Sequence, residues 1–157
     1  MARRFGVWNK YLPEYLVSHF TKHRSLPPWS VVSLCNWNGR DRGKLGFVAS
    51  DVPGLPKADR YAAFEFRTQK FLGVFGPKER IDLDLEPHAA RVIRLTPITS
   101  DGTWLIGTDL NLSGGMELAE VSVKKAKLRP ELAGFRTKLT FLDWKNGKAS
   151  FDTVEIQ

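Results

Sequence analysis

One cysteine, three histidines and two methionines are all the thiol, imidazole and thioether chemistry that 157 residues offer. A lone cysteine excludes an intramolecular disulfide and any CxxC-type zinc site. Cys35 lies in the apolar run WSVVSLCNW, where a small buried thiol is expected. A nucleophilic thiol needs an exposed, electropositive setting instead. Long hydrophobic runs are missing as well. No stretch approaches the ~20 apolar residues of a membrane helix. The opening MARRFGVWNKYLPEYL is basic but has no apolar segment behind it, so neither a secretory signal nor a membrane span is expected. The chain reads as soluble, with its compartment open. No internal repeat is present, and the hydrophobic share of 42% with 26% charged residues is ordinary globular usage. A single domain over 1–157 follows, with 1–28 as a basic N-terminal segment packing on it.

Acidic residues are scarce in one place only. Through Lys44, eight basic residues face two acids, Glu14 and Asp41, whereas from residue 45 onward sixteen basic residues face fifteen acidic ones. The net charge of +7 therefore belongs to the first segment. Such asymmetry fits either a solvated basic face or an acidic neighbour, nucleic acid included.

Helix signals are thin and strand signals abundant. KYLPEYLVSHF could begin as a helix, but Pro13 interrupts it and Val17–Phe20 reads as strand. ELAGF after Pro130 makes at most one helical turn. WSVVSLCNW, KLGFVAS, RYAAFEFRT, KFLGVFG, AARVIRLTP, MELAEVSVKKAKL, FRTKLTFLDW and KASFDTVEI are β-type runs separated by turn residues. RIDLDLEP alternates strictly, with Ile81, Leu83 and Leu85 opposite Asp82, Asp84 and Glu86. WKNGKA carries the Asn-Gly signal of a tight hairpin. Period-2 alternation at this turn spacing predicts an all-β fold, an antiparallel β-sandwich of about ten strands with little helix.

Catalytic constellations are also in short supply. Asp82 and Asp84 stand two apart on one strand, so both point to the same outer face; a glycosidic acid/base pair must instead face across a cleft. His19 and His23 would meet only on a helix, and His88 lies far off in sequence, so no metal or cofactor is expected. Ser113 in LNLSGG lacks the GxSxG elbow. Neither GxGxxG nor GxxxxGK[ST] occurs, and no enzyme activity is expected of this chain.

Binding residues are better represented. Five tryptophans are many for this length. Trp29, inside an apolar strand, reads as core. Trp37, in CNWNG at a strand end, and Trp104, after the DGT turn, are the candidates for stacking on a sugar or a base. Asn38, Asp109 and Asn111 are the polar residues assigned beside them for carbohydrate. Asp109, Asn111 and Ser113 also suit a sharp turn, satisfying its backbone groups. KKAKLR (124–129) with RDRGK (40–44) could form a phosphate-contacting patch, but no nucleic-acid motif accompanies it, and lysines guarding an edge strand explain it equally. A nucleic-acid partner is disfavoured.

The order of motifs says more than any one. WSVVSLCNWNG, VPGLPKADRYAAFEFRTQKFLGVF, DLDLEPHAARVIRLTP and LIGTDLNLSGGMEL follow one another over about 29–120. Together they resemble the C-terminal β-sandwich domain attached to TIM-barrel glycoside hydrolases of the α-galactosidase type, LEPHAARVIRLTP being the most specific part. Arg67 stands where that family often has tryptophan, and Asn111 where it often has histidine. The resemblance implies a non-catalytic accessory domain, because the acid/base carboxylates of that family lie in the barrel, and a barrel needs ~250 residues. It implies carbohydrate or a neighbouring catalytic barrel as partner, with YLPEYLVSHF near the junction. An independent carbohydrate-binding module with an aromatic platform, or a basic β-domain that binds nucleic acid, are the rival readings.

Overall fold

The computed structural model describes residues 14–157 and, for the backbone alone, residues 2–4. Trp8, Lys10 and Pro13 lie outside the described residues, as does any helical start in KYLPEYL. Thirteen strands are described: β1 (Ala2–Arg4), β2 (Tyr15–Phe20), β3 (Trp29–Cys35), β4 (Gly43–Val48), β5 (Arg60–Glu65), β6 (Lys70–Phe75), β7 (Arg80–Leu85), β8 (Ala90–Ile98), β9 (Gly102–Thr108), β10 (Leu118–Ser122), β11 (Lys125–Leu128), β12 (Thr137–Lys145) and β13 (Lys148–Ile156). Two single 3-10 turns, Ala49–Asp51 and Pro130–Leu132, are the helical content of the described residues, the second where ELAGF was expected to turn.

All pairings are antiparallel, and the order β1-β2-β3-β8-β5-β6 forms a six-stranded sheet. β13-β12-β9 make a second sheet, while β4-β7 and β10-β11 stand as pairs. The count exceeds ten partly because MELAEVSVKKAKL is two strands. Its chain reverses at Val123–Lys124, with Lys124 at φ +53, and Ser122 pairs with Lys125. Uninterrupted apolar and basic residues hid that turn, since no Gly, Asn or Pro marks it.

The six-stranded sheet is covered on both faces, and alternation decides which residue goes where. Val17, Val32, Leu34, Ala63, Ile93 and Leu95 pack with Phe47, Ile81 and Leu85 of β4 and β7. Opposite them, Ala62, Phe64 and Ile98 meet Ile106 and Leu142 of β9 and β12. A third cluster, Leu105, Leu118, Leu139 and Phe141, lies where β10-β11 closes over the far side of the β9-β12-β13 sheet. Each Val, Leu, Ile or Phe side chain so removed from water contributes about 1.5–3 kcal/mol. RIDLDLEP behaves as its alternation predicts: Ile81 and Leu85 are buried, and Asp82 and Asp84 face water. WKNGKA is the β12–β13 hairpin, closing at Lys145↔Lys148.

Where β9 meets β5 across the two sheets, one glycine is required. A Cβ on Gly107 would come within 2.2 Å of the Phe64 ring, so the β9 backbone lies directly against that aromatic face. Register shifts in the β5–β6 and β9–β12 pairings fall beside the same contact. No described helix is long and apolar enough to cross a membrane.

Candidate functional site

β3 ends at Cys35, and the residues after it form a loop held by the side chains of Asn36 and Asn38 and by the backbone of Ala89 and His88. Asn36 is buried, and its Nδ2 lies within hydrogen-bonding distance of the carbonyls of Asp41 (3.0 Å), Leu85 (3.2 Å) and Glu86 (3.1 Å). Its own N–H donates to Ala89 O at 2.9 Å, and its Oδ1 accepts from Asn38 N at 3.0 Å. The Asn38 Oδ1 in turn accepts from the N–H groups of Arg40 and Asp41 at 2.9 and 3.2 Å, the Asx geometry expected of asparagine in a turn. His88 closes the arrangement from the β7–β8 turn. Its N–H donates to Asn38 O at 3.2 Å, and its ring leaves no room for a side chain on Gly39, where a Cβ would stand 2.9 Å from Nε2. Arg42 and Glu86 add a 2.7 Å ion pair across the gap.

Trp37 stands between two asparagines whose side chains are committed to this frame, and 42% of its surface is exposed. The frame fixes the loop that carries this exposed aromatic side chain, and Arg40 and Arg42 follow on the same loop, exposed. Such an arrangement can stack on a planar or cyclic ligand at low ordering cost.

The other expected residues do not join it. Trp104 is on β9 and half-buried, packed with Trp144 on the Ala62–Phe64–Ile106–Leu142 cluster. Even-numbered positions of β9 face the six-stranded sheet, so its ring goes inward. Its Nε1 is buried without a hydrogen-bond partner among the described residues. The register puts Trp37 beyond Cys35, opposite Ala90, whereas Trp104 follows the Ile98 end of β8. The length of β8 separates them, about 26 Å at ~3.3 Å per residue. Asp109 Oδ1 accepts from Thr137 Oγ1 and Lys138 N, both at 2.8 Å, and Asn111 Oδ1 from Ser113 N at 2.8 Å. Both residues are occupied in holding the chain.

The turn they belong to, 109–117, is a clasp. Gly114 has φ +69 and lies against Arg94, whose Nη1 donates to its carbonyl; a Cβ there would meet Arg94 Cδ at 3.0 Å. Trp29 Nε1 donates to Ser113 O at 2.7 Å, and the Arg94 guanidinium lies 4.6 Å over the Trp29 ring. From the other side Glu117 accepts from Gly115 N (2.9 Å), Ser113 Oγ (3.1 Å) and Thr108 Oγ1. Opposite buried charges thus bracket the glycine pair. Burial pushes the Arg94 guanidinium down to about 9, against the pull of Glu117. It remains charged at neutral pH. The sequence reading missed both residues. In RVIRLTP Arg94 alternates with Ile93 and Leu95 and shares its face with Thr96, the pattern of an outward charge.

The remaining polar candidates are dispersed. Asp82 is paired with Arg80 at 2.9 Å, which holds its carboxyl below the usual range. His19 Nδ1 contacts Ser30 Oγ at 2.8 Å, and His23 Nε2 contacts Leu118 O at 2.9 Å. Among the described residues no three His, Cys, Asp or Glu gather as metal ligands would. KKAKLR and RDRGK do not form one patch, because β4 and β10-β11 cover opposite sides of the molecule. Lys124 is tied to Asp143 (2.9 Å) and Asp152 (3.5 Å), and Lys127 to Glu120 (3.5 Å).

No family model and no curated protein matches the sequence significantly. Among solved structures, the chain is similar to a Bacillus halodurans C-125 protein assigned as an α-N-acetylgalactosaminidase, at 19% identity and TM-score 0.48, over 60% of this chain and 20% of that one. It is also similar to α-galactosidase I of Mortierella vinacea, at 20% identity and TM-score 0.41, over 59% of this chain and 23% of the other. Both superpositions are loose, and the chain covers less than a quarter of either enzyme.

Proposed function

We propose that this chain is a non-catalytic β-sandwich accessory module of a glycoside hydrolase, and that it presents Trp37 to carbohydrate. The observation that carries the reading is the meeting of two motifs. WSVVSLCNWNG and LEPHAARV, about fifty residues apart in the chain, come together at one end of β3 and β8, where Asn36 and His88 hold the Trp37 loop. Residues that carry the family resemblance are here the frame of an exposed aromatic. The carboxylates support a role without catalysis: Asp82 and Asp84 share the outer face of β7, and Glu117 and Glu65 are consumed in turns.

A module of this kind binds glycan without cleaving it. The purified protein is expected to be retarded in native gels containing galactomannan and to release no aglycone from aryl α-galactosides. Turnover that follows the protein through purification would overturn the non-catalytic reading. Unretarded migration would overturn the carbohydrate one.

A further inference from the structure

β13 is an edge strand of the β13-β12-β9 sheet, and its outer edge pairs with no described strand. It is long, nine residues, and contains neither proline nor glycine. Edge strands of this length are normally blunted by inward charges, a central lysine, proline or a bulge. β13 has one lysine, at its first position, and its acids are Asp152, engaged by Lys124, and Glu155 near its end; its pairing to β12 runs without a shift from Lys148 to Ile156. In the middle of it, on the face shared with Leu142, Phe151 is 59% exposed and lies against the Phe71 ring, tilted, with ring centroids 5.3 Å apart. A large apolar ring at the centre of an unpaired, straight edge is a place for another strand.

We propose that β13 pairs antiparallel with β13 of a second copy of this chain, joining two three-stranded sheets into one across a two-fold axis at Phe151. Residues directly opposite in an antiparallel pair share a face, so a two-fold perpendicular to the sheet puts each residue opposite one of the same parity. Centring on Phe151 sets the two rings against each other. The same register places Ala149 opposite Thr153 and Lys148 opposite Val154. Ser150 then faces Asp152, a hydroxyl donor to a carboxylate. Lys148 reaches the Asp152 of the other strand diagonally, an opposite-charge pair formed twice by the symmetry. Asp152 is already oriented on that face by Lys124.

Sedimentation equilibrium and cross-linking test the register as well as the association. The protein should run at twice its 17.8 kDa at micromolar concentrations, and Phe151→Lys should weaken association at least about tenfold while the far-UV spectrum stays unchanged. In a Cys35→Ser background, Phe151→Cys should form a disulfide-linked dimer on mild oxidation. Ser150→Cys should not, because residue 150 faces residue 152. A monomer at all concentrations would overturn the proposal. So would a dimer that survives Phe151→Lys, or one that links at 150 rather than 151. None of these outcomes bears on glycan retardation, so the two readings stand or fall separately.

Discussion

At the scale of single residues, polar groups in this molecule act mostly on the chain itself. Arg94 and Glu117 bracket Gly114 and Gly115 from opposite sides, and removing one leaves the other buried without its counter-charge, a loss of about 3–5 kcal/mol. Urea titrations should therefore find Glu117→Gln and Arg94→Met each strongly destabilising. The double variant should cost clearly less than the two together. Equal additivity would mean that the charges do not act as a unit. Gly107→Ala drives a methyl into the Phe64 ring and should cost about 1–3 kcal/mol, as overpacking does. Cys35 is half-buried, and desolvation raises its thiol. Alkylation by iodoacetamide at neutral pH should be slower than for a free thiol and accelerate with rising pH. The apolar company of Cys35 foretold this. Arg94 escaped because a charge inside a strand looks like an outward residue until the register shows its neighbours.

Among the elements, strands with clean alternation were legible in full and turns without glycine or asparagine were not. RIDLDLEP became β7 with the expected residues inside, and the Asn-Gly pair closed β12–β13. The β10–β11 reversal at Lys124 left no mark, since it is held from outside by Asp143 and Asp152. That latch should be visible in the pH dependence of stability. The Thr103 hydroxyl and then Lys124 hold the Asp143 carboxyl below its usual range. A depressed carboxyl contributes stability that is complete above the unfolded-state value and is lost as pH falls through the lower folded one. Lys124→Met should therefore lower the thermal midpoint at neutral pH, and the gap to wild type should close as pH falls below the usual carboxylate range and Asp143 takes up its proton. A gap that persisted in acid would assign the effect to packing instead.

For the whole molecule, a sandwich was readable from the sequence but its layering was not. Strand periodicity gives each strand an inner and an outer face. It does not tell that β5 and β8 bury both, against β4-β7 on one side and β9-β12 on the other, or that Trp29 of β3 turns to the 113–115 turn. That is why Trp104, read as a surface residue, lies half-buried on the second core, and why one aromatic platform with Trp37 does not form. What remains outward, among the described tryptophans, is Trp37 on a loop framed by Asn36, Asn38 and His88. The carbonyls and N–H groups that Asn36, Asn38 and His88 engage are backbone groups of the loops on either side, so Trp37→Ala leaves those bonds in place. The most direct measurement is the retardation of wild type, Trp37→Ala and Trp104→Ala in galactomannan gels at equal melting temperature. Retardation should vanish in Trp37→Ala and survive in Trp104→Ala. Wild-type retardation left intact by Trp37→Ala would contradict the account.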